Sequence, residues 1–455
     1  MNRSLFATGN TGSFTDMSSG TTQVMGSSVD NGTPVLASIG FDFWFMGTRY
    51  TQFSAGANGI IRLGGTALSG STYTIGAASQ ALIAPFGGDL ETSNSGKVHY
   101  ILTGTAPNRV LTVEFLNMGL DYTGGYTGAD GTFQVKLFET TGAIEFVYGP
   151  MFRNTSATSS GSFNVGISST NSANNVASVN TSTNTVSYTT PVTTNSYPTG
   201  ATITDLNSPV DGSRKTYIFT PPVPAQPSAI SFTSVTTSGM TLNWTDNATN
   251  ELGYVIYRSN DGGSTYNFVT QLPANSTTYT VTGLFGSTSY SWKVSPVTEG
   301  ALNPVTGTET TTACAGLTGT FAIPGTYPSI TAAIADLTAN GISGPLTLEL
   351  TSSYVGAGET YPIVITSTGC FNPTSSNQLT IRPEAGATGL TITSGAAATM
   401  ELNGTSFVSI DGRPGGLGTV NELTIANTST SGVALRFIND ASNNSVIYTD
   451  LRGVN

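Results

Sequence analysis

Short apolar triplets recur through the last third of the chain, and they constrain its fold more than any other feature. Leu379-Thr380-Ile381, Met400-Glu401-Leu402, Leu423-Thr424-Ile425 and Val446-Ile447-Tyr448 begin 21, 23 and 23 residues apart. A second series runs between them: Ile363-Val364-Ile365, Leu390-Thr391-Ile392, Val408-Ser409-Ile410 and Leu435-Arg436-Phe437. Each triplet is too short for a helix and is flanked by Gly, Asn, Ser or Thr, the residues of turns. One repeat per about 20–25 residues in each series predicts at least two parallel sheets, with every turn of the coil stacked on the one before. That is a parallel β-helix.

Composition agrees with an all-β chain. Only 9% of its 455 residues are charged, and glycine supplies 54 of them, whereas about 25% of an average soluble protein is charged. The polar surface is built from hydroxyls and amides, as in β-rich extracellular proteins. Regular spacing of Val, Ile, Leu, Phe and Tyr argues against disorder over most of the chain. The net charge is −11, with 15 Lys and Arg scattered along the sequence. This excludes a phosphate-tracking groove for nucleic acid and disfavours an anionic membrane surface. No apolar run reaches the roughly 18 residues of a membrane-spanning helix. The opening residues 1–9 lack the apolar core of a signal peptide, so an exported protein with this start is expected to be trimmed or to belong to a longer chain.

The two cysteines, Cys314 and Cys370, stand in no metal-binding spacing. Two buried thiols or one disulfide satisfy the sequence, and the exported composition favours a disulfide at the entry of the β-helix.

Three domains are expected. Residues 1–220 read as a jelly-roll-like β-sandwich. Ile39-Gly40-Phe41-Asp42-Phe43-Trp44-Phe45 alternates as a strand with one buried face does, and Asn58-Gly59 marks a turn before Ile60-Ile61-Arg62-Leu63. Pro221-Pro222-Val223-Pro224 is a linker signal, since proline cannot donate to a ladder and favours a stiff spacer. Residues 221–312 hold this linker and seven short strands spaced as in a second β-sandwich. Residues 313–455 hold the β-helix. Its one helix is expected over Ser329–Asn340, where Ile330, Ile334 and Leu337 share a face, Ser329 caps the start and Gly341 ends it. Such a helix covers the first turn of the coil. No comparable cap follows Tyr448, so the coil is expected to continue past Asn455 or to meet a partner there, self-assembly included.

Specific segments resemble known families. Leu242-Asn243-Trp244, then Glu251-Leu252-Gly253-Tyr254-Val255-Ile256-Tyr257-Arg258, and the later Leu284-Phe285-Gly286-Ser287-Thr288-Ser289-Tyr290 resemble a fibronectin type III module with its tyrosine corner. The resemblance implies that Trp244 fills the space between two sheets and that Tyr290 anchors a loop through its hydroxyl. It implies a spacer or binding module. Gly325-Thr326-Tyr327-Pro328-Ser329-Ile330 with Gly344-Pro345-Leu346-Thr347-Leu348 resembles the entry to pectate-lyase-like right-handed β-helices. Gly40-Phe41-Asp42-Phe43, Gly47-Thr48-Arg49-Tyr50 and Asn58-Gly59-Ile60-Ile61-Arg62-Leu63-Gly64 resemble the sandwich at the front of large secreted proteins of Bacteroidota. That implies export, often by the type IX route, and work at the cell surface.

Residues able to carry chemistry are few. The single histidine, His99, has no nearby Cys or His and reads as an ordinary strand residue. Glycoside hydrolysis needs two carboxyls flanking one bond. Glu401 and Glu422 are 21 residues apart but stand in different registers of their triplets, so the acidic groups of the coil read as solvated. Asn403, Asn427, Asn439, Asn443 and Asn444 suit turn ladders joined by amide hydrogen bonds. Asp246, Asn247 and Glu251 offer oxygens for calcium, as do Asp121 and Asp130, with solvated loops as the plainer alternative. Tyr122, Tyr126 and Phe152 lie in Gly-rich loops. Aromatic faces beside amides suit sugar rings, and core packing competes as their role. These readings converge on a secreted, non-enzymatic surface adhesin or structural protein, with an extracellular polysaccharide or protein as partner. The alternative is a polysaccharide-active enzyme or lectin.

Overall fold

The computed structural model describes residues 5–75, 80–122, 128–154, 162–169, 176–356 and 358–454. Its regular structure is β throughout, apart from one α-helix, Ile330–Asn340, and a single 3-10 turn.

The first unit is a two-sheet antiparallel sandwich. One sheet orders its strands Leu5–Gly12, Arg214–Thr220, Ile144–Arg153, Gly131–Phe138, Val110–Gly119, Glu91–Thr103, Thr22–Met25. The other runs Thr185–Ser187, Val176–Asn180, Asn164–Ser168, Leu82–Gly87, Ile60–Leu63, Thr48–Gly56, Ala37–Phe45. The β-sandwich expectation holds as two facing antiparallel sheets, but most strands follow one another as hairpins inside a sheet, not in the sheet-to-sheet order of a jelly roll. Alternation puts Phe43, Phe53, Phe86, Phe115, Phe133 and Phe146 fully inside. Phe86 stacks on Phe163 at 4.5 Å and Phe115 on Phe133 at 4.9 Å. The Asn58-Gly59 turn is fixed from both sides. Gly59 has φ +71, and a Cβ there would lie 1.9 Å from the Phe86 carbonyl oxygen. The Asn58 side chain accepts from Leu90 N and donates to Gly70 O.

The second unit packs a three-stranded sheet (Ser228–Thr233, Gly239–Thr245, Thr278–Thr282) on a four-stranded one (Asn267–Leu272, Gly253–Ser259, Ser289–Val297, Val305–Thr310). Trp244 and Trp292 are buried in its core, and the Tyr290 hydroxyl accepts from Phe285 N at 2.9 Å. The proline linker is strapped to this unit: Thr298 Oγ1 donates to Pro222 O, and Asn303 Nδ2 to Pro224 O.

The first and second units are packed against each other. Trp44, on the strand Ala37–Phe45, lies buried with Val255, Tyr257 and Val297 of the second unit. Gln271 Nε2 donates to Gly47 O, and Met46 N to Glu299 O. Gly142 and Gly300 let the backbones meet: a Cβ on Gly142 would lie 2.3 Å from Gly300 O.

In the third unit seven of the eight apolar triplets lie whole within strands of parallel ladders, and of the eighth Val446 and Ile447 do while Tyr448 falls just outside at φ 48; the partners of these strands differ from the expected series. Leu379 pairs with Leu346 and Val408, Met400 with Ile363 and Leu435, and Leu423 with Leu390 and Thr449. Three sheets wrap the core, not two interleaved series. One turn of the coil spans 26 residues (Leu423 to Thr449) to 37 (Ile363 to Met400), longer than the expected repeat. Alternation marks a strand and its inner face, but nothing within a triplet decides which sheet it joins. Outward residues stack too: Thr320, Thr347, Thr380, Ser409 and Ser445 are successive register partners.

The helix closes the entry of this core. Ile330, Ala333, Ile334 and Leu337 are buried, Ser329 Oγ accepts from Ala332 N, and Gly341 ends the helix at φ 79. The Glu359 carboxylate also accepts from Ile330 N and Thr331 N, so a distant acid joins Ser329 in capping the helix. Cys314 and Cys370 form a disulfide. It lies at the junction of the second and third units, where Gly286 N donates to Gly369 O and a Cβ on Gly286 would lie 2.2 Å from Cys314 Sγ.

Candidate functional site

Strand direction places the candidate aromatic residues. Val110–Gly119 and Ile144–Arg153 run in the same direction on either side of Gly131–Phe138, with which both pair antiparallel. Their Val110 and Ile144 ends lie toward the second unit, where the Phe138–Ala143 hairpin meets Gly300. Tyr122 and Phe152 therefore share the opposite end, about 30 Å away at about 3.3 Å per strand residue. Both are exposed, at 38% and 40%. Tyr126 lies outside the described residues.

This free end is held from below by charge. Arg153 and Asp121, each next in sequence to one of the two aromatics, form a buried ion pair at 2.7 Å, and Arg153 Nη1 also donates to Tyr197 O. Asp130 accepts from Leu120 N and from Asn154 Nδ2. Asp121 and Asp130 are thus buried anchors of the rim and not solvated loop acids. Nothing in the sequence marked Arg153 as the partner of Asp121, because the two residues are 32 apart. Asp89 lies close by: its backbone oxygen accepts from Tyr122 N. Burial raises the Asp89 pKa, and the charges of Asp30 and Asp121 raise it further. Asp30 is raised by its own burial. The rim therefore combines two exposed rings with carboxylates that gain from any donor brought to them.

The other candidates are engaged within the protein. Asp246 Oδ1 accepts from Ala248 N and the Tyr254 hydroxyl, Asn247 Nδ2 donates to Gln226 O and Ser228 Oγ, and Glu251 Oε1 accepts from Asn275 N. Among the described residues no group of three or more His, Cys, Asp or Glu side chains is placed to hold a metal ion. His99 is buried in a network: Nε2 meets Glu114 Oε2 at 2.7 Å, Nδ1 meets Thr21 Oγ1 at 3.0 Å, and Glu114 Oε1 accepts from Gln134 Nε2. Gln134 in turn bonds both backbone groups of Thr15, so the network ties the segment before Thr22 to the sheet.

On the coil, Glu401 pairs with Arg436 on the next turn, while Glu422 accepts from Gly389 N. The two glutamates do not form a carboxylate pair. Asn439 Nδ2 donates to Asn403 Oδ1 at 2.7 Å, a true rung between turns. Asn427 and Asn444 instead bond backbone within and between turns.

Comparison with known proteins agrees with this division. Residues 6–221 match the family profile described as NIDO related, and residues 225–310 match the fibronectin type III domain. No curated protein matches the chain. Among solved structures, a fibronectin type III domain of human collagen XX is 27% identical, covering 20% of this chain and 92% of its own, with a TM-score of 0.18. A structure of FN3tt is 29% identical, covering 20% of this chain and 97% of its own, with a TM-score of 0.18. The two matched modules suggest an extracellular, adhesion-type modular protein. No helix among the described residues is long and apolar enough to cross a membrane.

Proposed function

We propose that this is a secreted, non-enzymatic adhesin or structural protein of the cell surface, of the kind exported by Bacteroidota through the type IX route. The free end of the first sandwich meets an extracellular polysaccharide or protein, and the fibronectin type III unit and the coil hold that end away from the surface. The observation that carries this reading is the position of Tyr122 and Phe152: both are exposed at the end of the sandwich opposite its junction with the second unit. Two supports join successive units, the Trp44–Tyr257 contact and the Cys314–Cys370 disulfide.

The test is binding of the purified chain to arrays of extracellular polysaccharides and matrix proteins, compared with a Tyr122→Ala/Phe152→Ala double variant. Retained binding by a folded double variant sinks the assignment of the free end. Release of unsaturated or reducing sugars from the array polysaccharides sinks the non-enzymatic reading.

A further inference from the structure

We propose that the cleft between the first sandwich and the fibronectin type III unit binds an oligosaccharide bearing carboxylate groups. The cleft holds about 790 Å³, inside the range of about 300–1,000 Å³ usual for small-ligand sites. It lies at the end of the sandwich opposite Tyr122 and Phe152, so it is separate from the surface assigned above and does not depend on it.

Its walls are two fixed ion pairs from the first unit. Arg49 Nη2 meets Asp42 Oδ1 at 2.6 Å. Arg109 meets both oxygens of Glu139, with Nε at 2.8 Å and Nη2 at 2.6 Å. Burial works to raise the Glu139 pKa, but the hydrogen bonds and charge of Arg109 outweigh it and hold the group below its ordinary value. The floor is aromatic and comes from the second unit: Arg49 lies over Phe268 at 4.5 Å, and Lys293 over Tyr266 at 4.2 Å.

Lys293 differs from the two arginines. Among the described residues it has no carboxylate within ion-pairing distance and no hydrogen-bond acceptor for its ammonium. Burial lowers its pKa, with the Glu139 charge opposing, so an anion placed beside it relieves a poorly solvated cation. The cleft thus carries three cations against two carboxylates, within a chain of net charge −11.

A sugar acid fits each part. Its ring has apolar C–H faces for the aromatic floor. Its hydroxyls match the walls, because each ionised carboxylate keeps lone pairs beyond those its arginine uses. Its carboxylate answers Lys293 through a charge-assisted bond. Neither unit forms the site alone: Lys293, Tyr266 and Phe268 come from one, and both ion pairs from the other.

The test is calorimetric titration of the full chain with a galacturonate trisaccharide, a neutral galactose trisaccharide and a glutamate-rich hexapeptide. The expected result is saturable binding of galacturonate, at least about tenfold tighter than the neutral sugar and the peptide. Lys293→Met should remove that preference, and Ser264→Trp, which fills the cleft from its exposed rim, should abolish binding, both with unchanged melting curves. Absence of saturable binding, equal affinity for the neutral sugar, preference for the peptide, or full affinity in both folded variants overturns the proposal.

Discussion

The indole Nε1–H of Trp44 donates to the Tyr257 hydroxyl at 3.0 Å, across the boundary between the two sandwiches. Trp44 is 2% exposed and Tyr257 is 8% exposed. Burial raises the Tyr257 pKa, and the Asp42 charge adds to it, so the hydroxyl stays protonated as donor and acceptor. This bond, with the Trp44 and Phe268 rings 6.2 Å apart, makes the two units one body at their contact.

Tyr257→Phe is expected to cost about 1–3 kcal/mol, because it leaves the Trp44 N–H buried without an acceptor. Trp44→Ala should cost about 3–5 kcal/mol through the cavity it opens. Urea unfolding measures both, and faster proteolysis within residues 221–224 reports the loosened junction. An unchanged junction in Trp44→Ala would falsify the assignment.

Glu299 lies at the same junction, 2% exposed, and neither carboxylate oxygen has a hydrogen-bond partner among the described residues. Burial raises its folded pKa above the ordinary carboxylate value. A group raised in this way contributes its full stability below its unfolded pKa and loses it as pH rises through the folded value. Glu299→Gln should therefore raise the melting temperature at neutral pH, and the gain should shrink as pH falls through the raised folded value and be gone below about 4.5. A gain independent of pH counts against a titrating Glu299.

The Cys314–Cys370 disulfide closes a segment with a sequence separation of 56. A loop of that size predicts about 4 kcal/mol of stabilisation in the chain-entropy view. A Cys314→Ser/Cys370→Ser variant should lose up to that amount, with the loss centred on the coil and its junction. Gly286→Ala should mimic part of this effect, since its Cβ would collide with Cys314 Sγ. Hydrogen exchange resolves the two regions, and equal protection with and without the disulfide would show the prediction wrong.

Tyr290 holds the loop before it through one hydrogen bond, from Phe285 N at 2.9 Å. Tyr290→Phe keeps the ring and orphans that N–H, so the fibronectin type III unit should lose about 1–3 kcal/mol. A chemical denaturation curve indistinguishable from wild type refutes the anchoring role.

Much of the architecture was legible because short-range patterns carry it. Alternation in Ile39–Phe45 marked a strand and its inner face but not the burial of Trp44 on the other face against the second unit, while Ser329 and Gly341 marked the ends of the helix, and the spacing around Trp244 and Tyr290 marked the second unit. The site was far less legible. Tyr122 and Phe152 were found as loop aromatics, but their common position follows from two strand directions, and the buried Asp121–Arg153 pair beneath them has no local signature. The coil shows the same limit: its triplets were visible, while the turns that assign Met400 to Ile363, not to Leu379, were not.

What the sequence determined by itself is therefore the local grammar: which segments are strands, which face of each is apolar, where the helix starts and stops, and that two cysteines stand near the coil entry. These depend on neighbours a few residues apart, where backbone geometry and side-chain period leave little choice. Only the tertiary structure decided which strands share a ladder, how Trp44 of one sandwich meets Tyr257 of the next, and that Lys293 faces Glu139 across a cleft. Those juxtapositions bring together residues 213 and 154 positions apart. They are selected by the shape and burial of whole units, and no window of sequence contains both partners.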